Sequence, residues 1–255
     1  MKKLLCLILV LALSGIATAA KWEGDVSTDW NDSDNWVDGV MPASGAGGKA
    51  MIYSGTYECT HASGTADIYA LDIGRDSGGD MTMSGGTINI DATKDMYMYT
   101  GTGGTLTMTG GTINLGKDLV GTATAGTAYI NMSDGTIQNR SGSKGGLYLG
   151  HYTLATALID MTMSGGNINV YNLGMQSGSS LDMDGDGQIL ITYDSSYSTS
   201  ETWAQFKTRI TGYASLMDNE VITVNDTAET ITITPEPATI ALLGLGGLAL
   251  IRRKR

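Results

Sequence analysis

Chemistry needs nucleophiles, bases or ligands at workable spacings, and in this chain of 255 residues such groups are sparse. His61 and His151 are the two histidines, and neither has a nucleophile or carboxylate at the spacing of a catalytic triad. Cys59-Thr-His61 supplies too few ligands for a zinc centre. The pairs Met81/Met83, Met96/Met98 and Met161/Met163 are the soft Met-x-Met pattern that holds Cu(I). Their regular alternation fits core filling by flexible thioethers better. Asp182, Asp184 and Asp186, followed by Gly187, reproduce the first half of a calcium loop, but Tyr193 stands where a bidentate acid should close it and Asp194 falls one residue late. These three aspartates are either a partial calcium site or the solvated acids of a divergent repeat. Trp22, Trp30 and Trp36 could stack on sugar rings or pack against a core. The expectation is no catalytic residue, no metal ligand and no cofactor.

The elements that would position these residues are repeats. Met81-Thr-Met-Ser-Gly-Gly-Thr-Ile-Asn89 returns as Leu106 to Asn114, Ile130 to Gln138 and Met161 to Asn169, with a degenerate copy from Leu181. The starts lie 25, 24, 31 and 20 residues apart, the period of a coil. A second register precedes each copy: Leu71-Asp-Ile-Gly74, Met96-Tyr-Met98, Leu119-Val-Gly121, Leu147-Tyr-Leu-Gly150 and Leu173-Gly-Met175. Alternating apolar residues broken at glycine predict short strands. In the first full coil Leu71, Ile73, Met81, Met83, Ile88 and Ile90 should point inward, and Asp72, Thr82, Thr87 and Asn89 outward. One unit buries too little to offset the entropy of ordering it, so equivalent strands must stack in parallel. The predicted fold is all-β, a right-handed parallel β-helix or solenoid, with a β-roll or β-sandwich as alternative. Outward Thr82, Thr107, Thr87, Thr112 and Thr136, with Asn89, Asn114, Gln138 and Asn169, should then form polar ladders.

The body is placed at 67–192, with an N-terminal cap at 20–66 and a C-terminal cap at 193–234. Caps are needed because solenoid ends are unpaired strand edges. The segment Lys21 to Tyr57 resembles the opening segment of many exported β-helical proteins. At the far end Ser198-Thr-Ser-Glu201 reads as a capping box, with Trp203, Phe206, Ile210 and Tyr213 following at helical spacing. Gly212 and a hairpin of Val221–Val224 with Ile231–Ile233 complete that cap.

Charge and the chain ends indicate where the body goes. Between Lys21 and Ala238, 9 basic residues stand against 26 acidic ones, a net of −17. Such a body repels nucleic acid and anionic headgroups. Lys2-Lys3, the apolar run Leu4 to Ala12 and then Ala17-Thr-Ala19 have the order of a secretory signal at 1–19, cut after Ala19. With Cys6 removed, Cys59 would be left without a disulfide partner. The other end carries Pro235, Glu236 and Pro237, an uncharged run from Ala238 to Ile251, and Arg252, Arg253, Lys254 and Arg255. The prolines forbid helix, the apolar run suits a short transmembrane segment, and the basic cluster stays cytoplasmic.

This three-part tail, including Pro-Glu-Pro-Ala-Thr and Leu-Leu-Gly-Leu-Gly-Gly-Leu, resembles the PEP-CTERM sorting signal at 235–255. The resemblance implies export from a Gram-negative-type cell, transient anchoring in the inner membrane, and processing by an exosortase, whose systems accompany exopolysaccharide and biofilm production. The body reads as a non-enzymatic structural or adhesive protein of the cell surface or biofilm matrix, with exopolysaccharide as a candidate partner. The alternative is a carbohydrate-binding module or a polysaccharide-active β-helix enzyme. An enzyme would need paired carboxylates or calcium-binding acids with basic partners on one face. Arg75, Lys94, Lys117, Arg140 and Lys144 are scattered instead.

Overall fold

The computed structural model describes residues 19–45, 48–75, 78–122, 124–197, 201–217 and 220–236. Ala17, Pro237 and Arg252 to Arg255 lie outside the described residues.

The chain winds as a parallel β-solenoid of about six turns. One face stacks Ala20–Lys21, Lys49–Ile52, Ala70–Ile73, Met96–Met98, Leu119–Gly121, Gly146–Leu149 and Asn172–Met175, all parallel. A second face runs from Cys59–His61 through Asp80–Met83 and the first halves of Thr105–Leu115 and Gly126–Asn139 to Ala157–Met163 and Leu181–Met183. The third takes Thr65–Ile68, Thr87–Ile90, the second halves of the same two long strands, Asn167–Val170 and Gln188–Thr192. The repeated Gly-Gly is the corner between the second and third faces. Gly111 there has φ +77°, and a Cβ on it would stand 2.6 Å from the Gly85 carbonyl oxygen of the turn below.

Register places like upon like. Met83, Met108, Met132, Met163 and Met183 form one inward column, and Ile88, Ile113, Ile137, Ile168 and Ile189 another, all almost fully buried. The six residues expected inward in the first coil are completely buried. Outside, Asn89 Nδ2 donates to Asp67 Oδ1 (2.9 Å), Asn114 Nδ2 to Asn89 Oδ1 (2.7 Å) and Gln138 Nε2 to Asn114 Oδ1 (2.9 Å), which is the expected amide ladder.

Asp72 points outward as expected and is nonetheless completely buried, because Lys49 Nζ (2.6 Å), Arg75 Nη1 (3.2 Å) and the Tyr99 hydroxyl (3.1 Å) close over its carboxylate. A buried carboxylate without such partners would carry a large desolvation cost. The strand alternation does aim Asp72 away from the core, and the neighbouring turns then cover it.

Both ends are covered. Trp22 and Trp36 meet edge to face at 5.3 Å, Trp30 and Trp36 at 4.8 Å, and Trp36 Nε1 donates to the Trp30 carbonyl at 2.9 Å. Rungs already occur inside 20–66, the segment read as a cap, since Lys49–Ile52 and Cys59–His61 pair in register with the turn above, and Thr65–Ile68, which does the same, straddles its end. At the C-terminal end the hairpin Glu220–Asn225 with Thr230–Pro235 lies antiparallel on Gln188–Thr192. The helix Trp203–Gly212 buries Phe206 and Ile210. Its capping box is Thr202 with Gln205, not Ser198 with Glu201. Ser198 lies outside the described residues, and Glu201 forms an ion pair with Arg209 at 2.8 Å.

Candidate functional site

The last strand positions the start of the tail. Ile231 and Ile233 are buried against the solenoid, and Pro235 closes the strand opposite Glu220. Proline has no N–H to continue a ladder, so pairing ends there. Glu236, the next residue, is exposed. The proline–acid–proline segment thus begins where the fold ends.

Residues 234–255 match the PEP-CTERM protein-sorting motif. No curated protein and no solved structure matches the chain. A PEP-CTERM motif implies an exported, cell-surface protein sorted by an exosortase. Among the described residues no helix is long and apolar enough to cross a membrane, and the run 238–251 lies outside them.

The sequence candidates in the body separate by burial. The three tryptophans are 1–2% exposed, so none offers a face to a sugar. The Met-x-Met sulfurs are core. Cys59 is buried, and burial pushes its thiol well above the ordinary range, which leaves it unreactive. His61 Nδ1 lies 3.2 Å from the Gly85 carbonyl and must donate to it, while Nε2 is buried with no partner. Burial lowers the His61 pKa, with the Gly85 bond and nearby Asp29 opposing. Asp182, Asp184 and Asp186 are exposed near the far end of the second face. Among the described residues no group of three His, Cys, Asp or Glu side chains could hold a metal ion.

One grouping was not anticipated. A cleft of about 510 Å³ opens between the last turns of the first face and the C-terminal cap. Tyr148, from Gly146–Leu149, lines it and packs over Gly174. That position requires Gly174 beneath it, since a Cβ there would sit 2.4 Å from the ring. Asn172 Nδ2 donates to the Tyr148 hydroxyl at 2.8 Å, and Arg209 Nη2 donates to Asn172 Oδ1 at 2.8 Å. Arg209 also holds Glu201 at 2.8 and 2.9 Å and the Leu173 carbonyl at 2.7 Å. On the other side the Tyr197 and Tyr152 hydroxyls donate to the two oxygens of Asp118, at 2.6 and 2.5 Å. Asp118 is 4% exposed and also accepts from Gly146 N at 2.7 Å. Burial and the Asp118 charge push both tyrosines far above their ordinary pKa, so the hydroxyls stay neutral donors. Nothing in the repeat marks these residues, because Asp118, Tyr148 and Asn172 come from three turns and Tyr197, Glu201 and Arg209 from the cap.

Proposed function

We propose that this chain is an exosortase-sorted structural or adhesive protein, displayed at the cell surface or shed into a biofilm matrix, and not an enzyme. The PEP-CTERM motif at 234–255 carries the reading. The placement of Pro235 supports it, because a processing enzyme could cut beyond the final strand without disturbing the folded body. In this reading 1–19 is removed as a signal peptide, the apolar run holds the protein transiently in the inner membrane, and the solenoid winds right-handed, the hand favoured for parallel crossovers. Stacked identical rungs resist unfolding by sharing every edge with a neighbour, which suits a spacer that stands in a crowded exterior. The net charge of −17 between Lys21 and Ala238 keeps copies apart in solution. Exopolysaccharide is the proposed partner.

The test compares a host with its exosortase against the same host lacking it. Brief protease treatment of intact cells should degrade the protein only in the first, and the second should retain it in the inner membrane. Equal location and equal mass in both hosts would remove the sorting function from the tail.

A further inference from the structure

We propose that the cleft between Tyr148, Tyr152 and the C-terminal cap binds a neutral pyranose-based oligosaccharide, with Tyr152 as its stacking platform. This site does not depend on how the tail is processed.

The wall of the cleft is one continuous chain of hydrogen bonds. It runs from Glu201 through Arg209, Asn172 and Tyr148 to Tyr197, whose hydroxyl is 3.4 Å from that of Tyr148, and on through Asp118 to Tyr152. A fully satisfied network of this kind fixes its members rigidly. If its only purpose were to lock the cap onto the solenoid, the rings would be packed over. Instead the network surrounds an open cleft of about 510 Å³, inside the range of about 300–1,000 Å³ typical of ligand pockets. Tyr152 leaves 46% of its surface exposed, and its ring stands edge to face with Tyr148 at 4.6 Å. His151 packs against the same ring at 5.7 Å, and an aromatic ring held by its hydroxyl and by such neighbours while about half exposed loses little entropy on binding. A pyranose presents an apolar C–H face to such a ring and a rim of hydroxyls to polar groups around it. Here that rim is supplied by His151 and Gln176, with Gln176 Nε2 tied to the His151 carbonyl at 2.5 Å.

Charge selects among glycans. Lys117 is shared between Asp95 (3.5 Å) and Asp118 (3.7 Å), and Arg209 is paired with Glu201. No cation is left in excess to attract a uronate or sulfated sugar, and the body's −17 repels polyanions. Acidic glycans are therefore disfavoured.

The experiment uses the full chain in a detergent without a sugar headgroup. Titration calorimetry is run with cello-, malto- and fully N-acetylated chito-oligosaccharides of three to six units and with oligogalacturonates as the charged series. At least one neutral series should bind, and the oligogalacturonates at least tenfold more weakly. Tyr152→Ala should weaken that binding about tenfold or more, as expected from losing an aromatic anchor. Tyr152→Phe, which keeps the ring, should retain most of it. Tyr129→Ala, on the second face and 44% exposed, should change nothing. Unchanged thermal unfolding of Tyr152→Ala shows that the loss is local. If that variant unfolds early, proton NMR saturation transfer from the tyrosine rings of the unaltered chain to the sugar decides instead. The proposal is overturned if no neutral series binds, if Tyr152→Ala binds as tightly as the parent, if oligogalacturonates bind best, or if saturation does not reach the sugar.

Discussion

At the scale of single residues the structure separates inward from outward positions on stacked strands. Met83 stands between His61 and Met108 with no exposed surface, so Met83→Asp buries a carboxylate with no partner. It should destabilise by more than about 4 kcal/mol. Thr107→Asp points outward between Thr82 and Asn131 and should cost only about 1 kcal/mol. Equal shifts in thermal midpoint would mean the register is wrong. His61 gives a pH signature. Its folded pKa is lowered, so the unfolded chain takes up a proton first on acidification. Its contribution is intact above the unfolded value of about 6.5 and is lost as pH falls from there toward the folded pKa. His61→Met, which extends the methionine column by one turn, should therefore lose less stability than the parent between pH 7.5 and pH 5. A parallel decline of both would put the acid sensitivity elsewhere. The sequence displayed the inward methionines because alternation is local, and it hid the burial of Asp72 because Lys49 and Tyr99 arrive from other turns.

At the scale of elements the glycine corners can be graded. Gly111→Ala meets both a left-handed backbone and the Gly85 oxygen at 2.6 Å, and should cost about 2–4 kcal/mol. Gly142 also has a positive φ, +80°, but nothing lies within 4 Å of its missing Cβ, so Gly142→Ala should cost about 1 kcal/mol. Denaturant midpoints at constant slope would measure the gap, and similar losses would mean that stacking does not crowd the corners. These corners were legible because Gly-Gly recurs with the repeat. The hairpin was legible too, from apolar alternation in Val221–Val224 and Ile231–Ile233. The helix start was misread by one turn, because Ser198-Thr-Ser-Glu201 has the residue types of a capping box and local pattern cannot rank it above Thr202 with Gln205. The tyrosine cleft was illegible for a related reason. Its members are 79 residues apart at Asp118 and Tyr197, and only the closed solenoid with its cap brings them together.

At the scale of the whole molecule, the body and the tail meet at Pro235, and the final prediction concerns that junction. The strand ends there opposite Glu220, and Glu236 is already exposed. Removal of everything beyond this point takes away no rung and no core residue described. In a host with an exosortase, the exported protein should have an intact mass that fits a chain from near Ala20 to near Pro235, and it should unfold at the same temperature as the unprocessed chain. Neither Pro235 nor Pro237 has an N–H to donate within a helix. In the proposed topology, alanine at both positions would remove that barrier to helix next to the apolar run, cover the scissile region and leave unprocessed protein in the membrane. Neutral residues in place of Arg252 to Arg255 act by a different route in the proposed topology, since a basic end that stops transfer would be lost and the chain should escape retention before it is cut. The two variants therefore fail in opposite compartments, one held in the membrane and one released with its tail attached. Recovery of the parent with Arg255 still present, and identical behaviour of both variants, would make the tail a plain anchor.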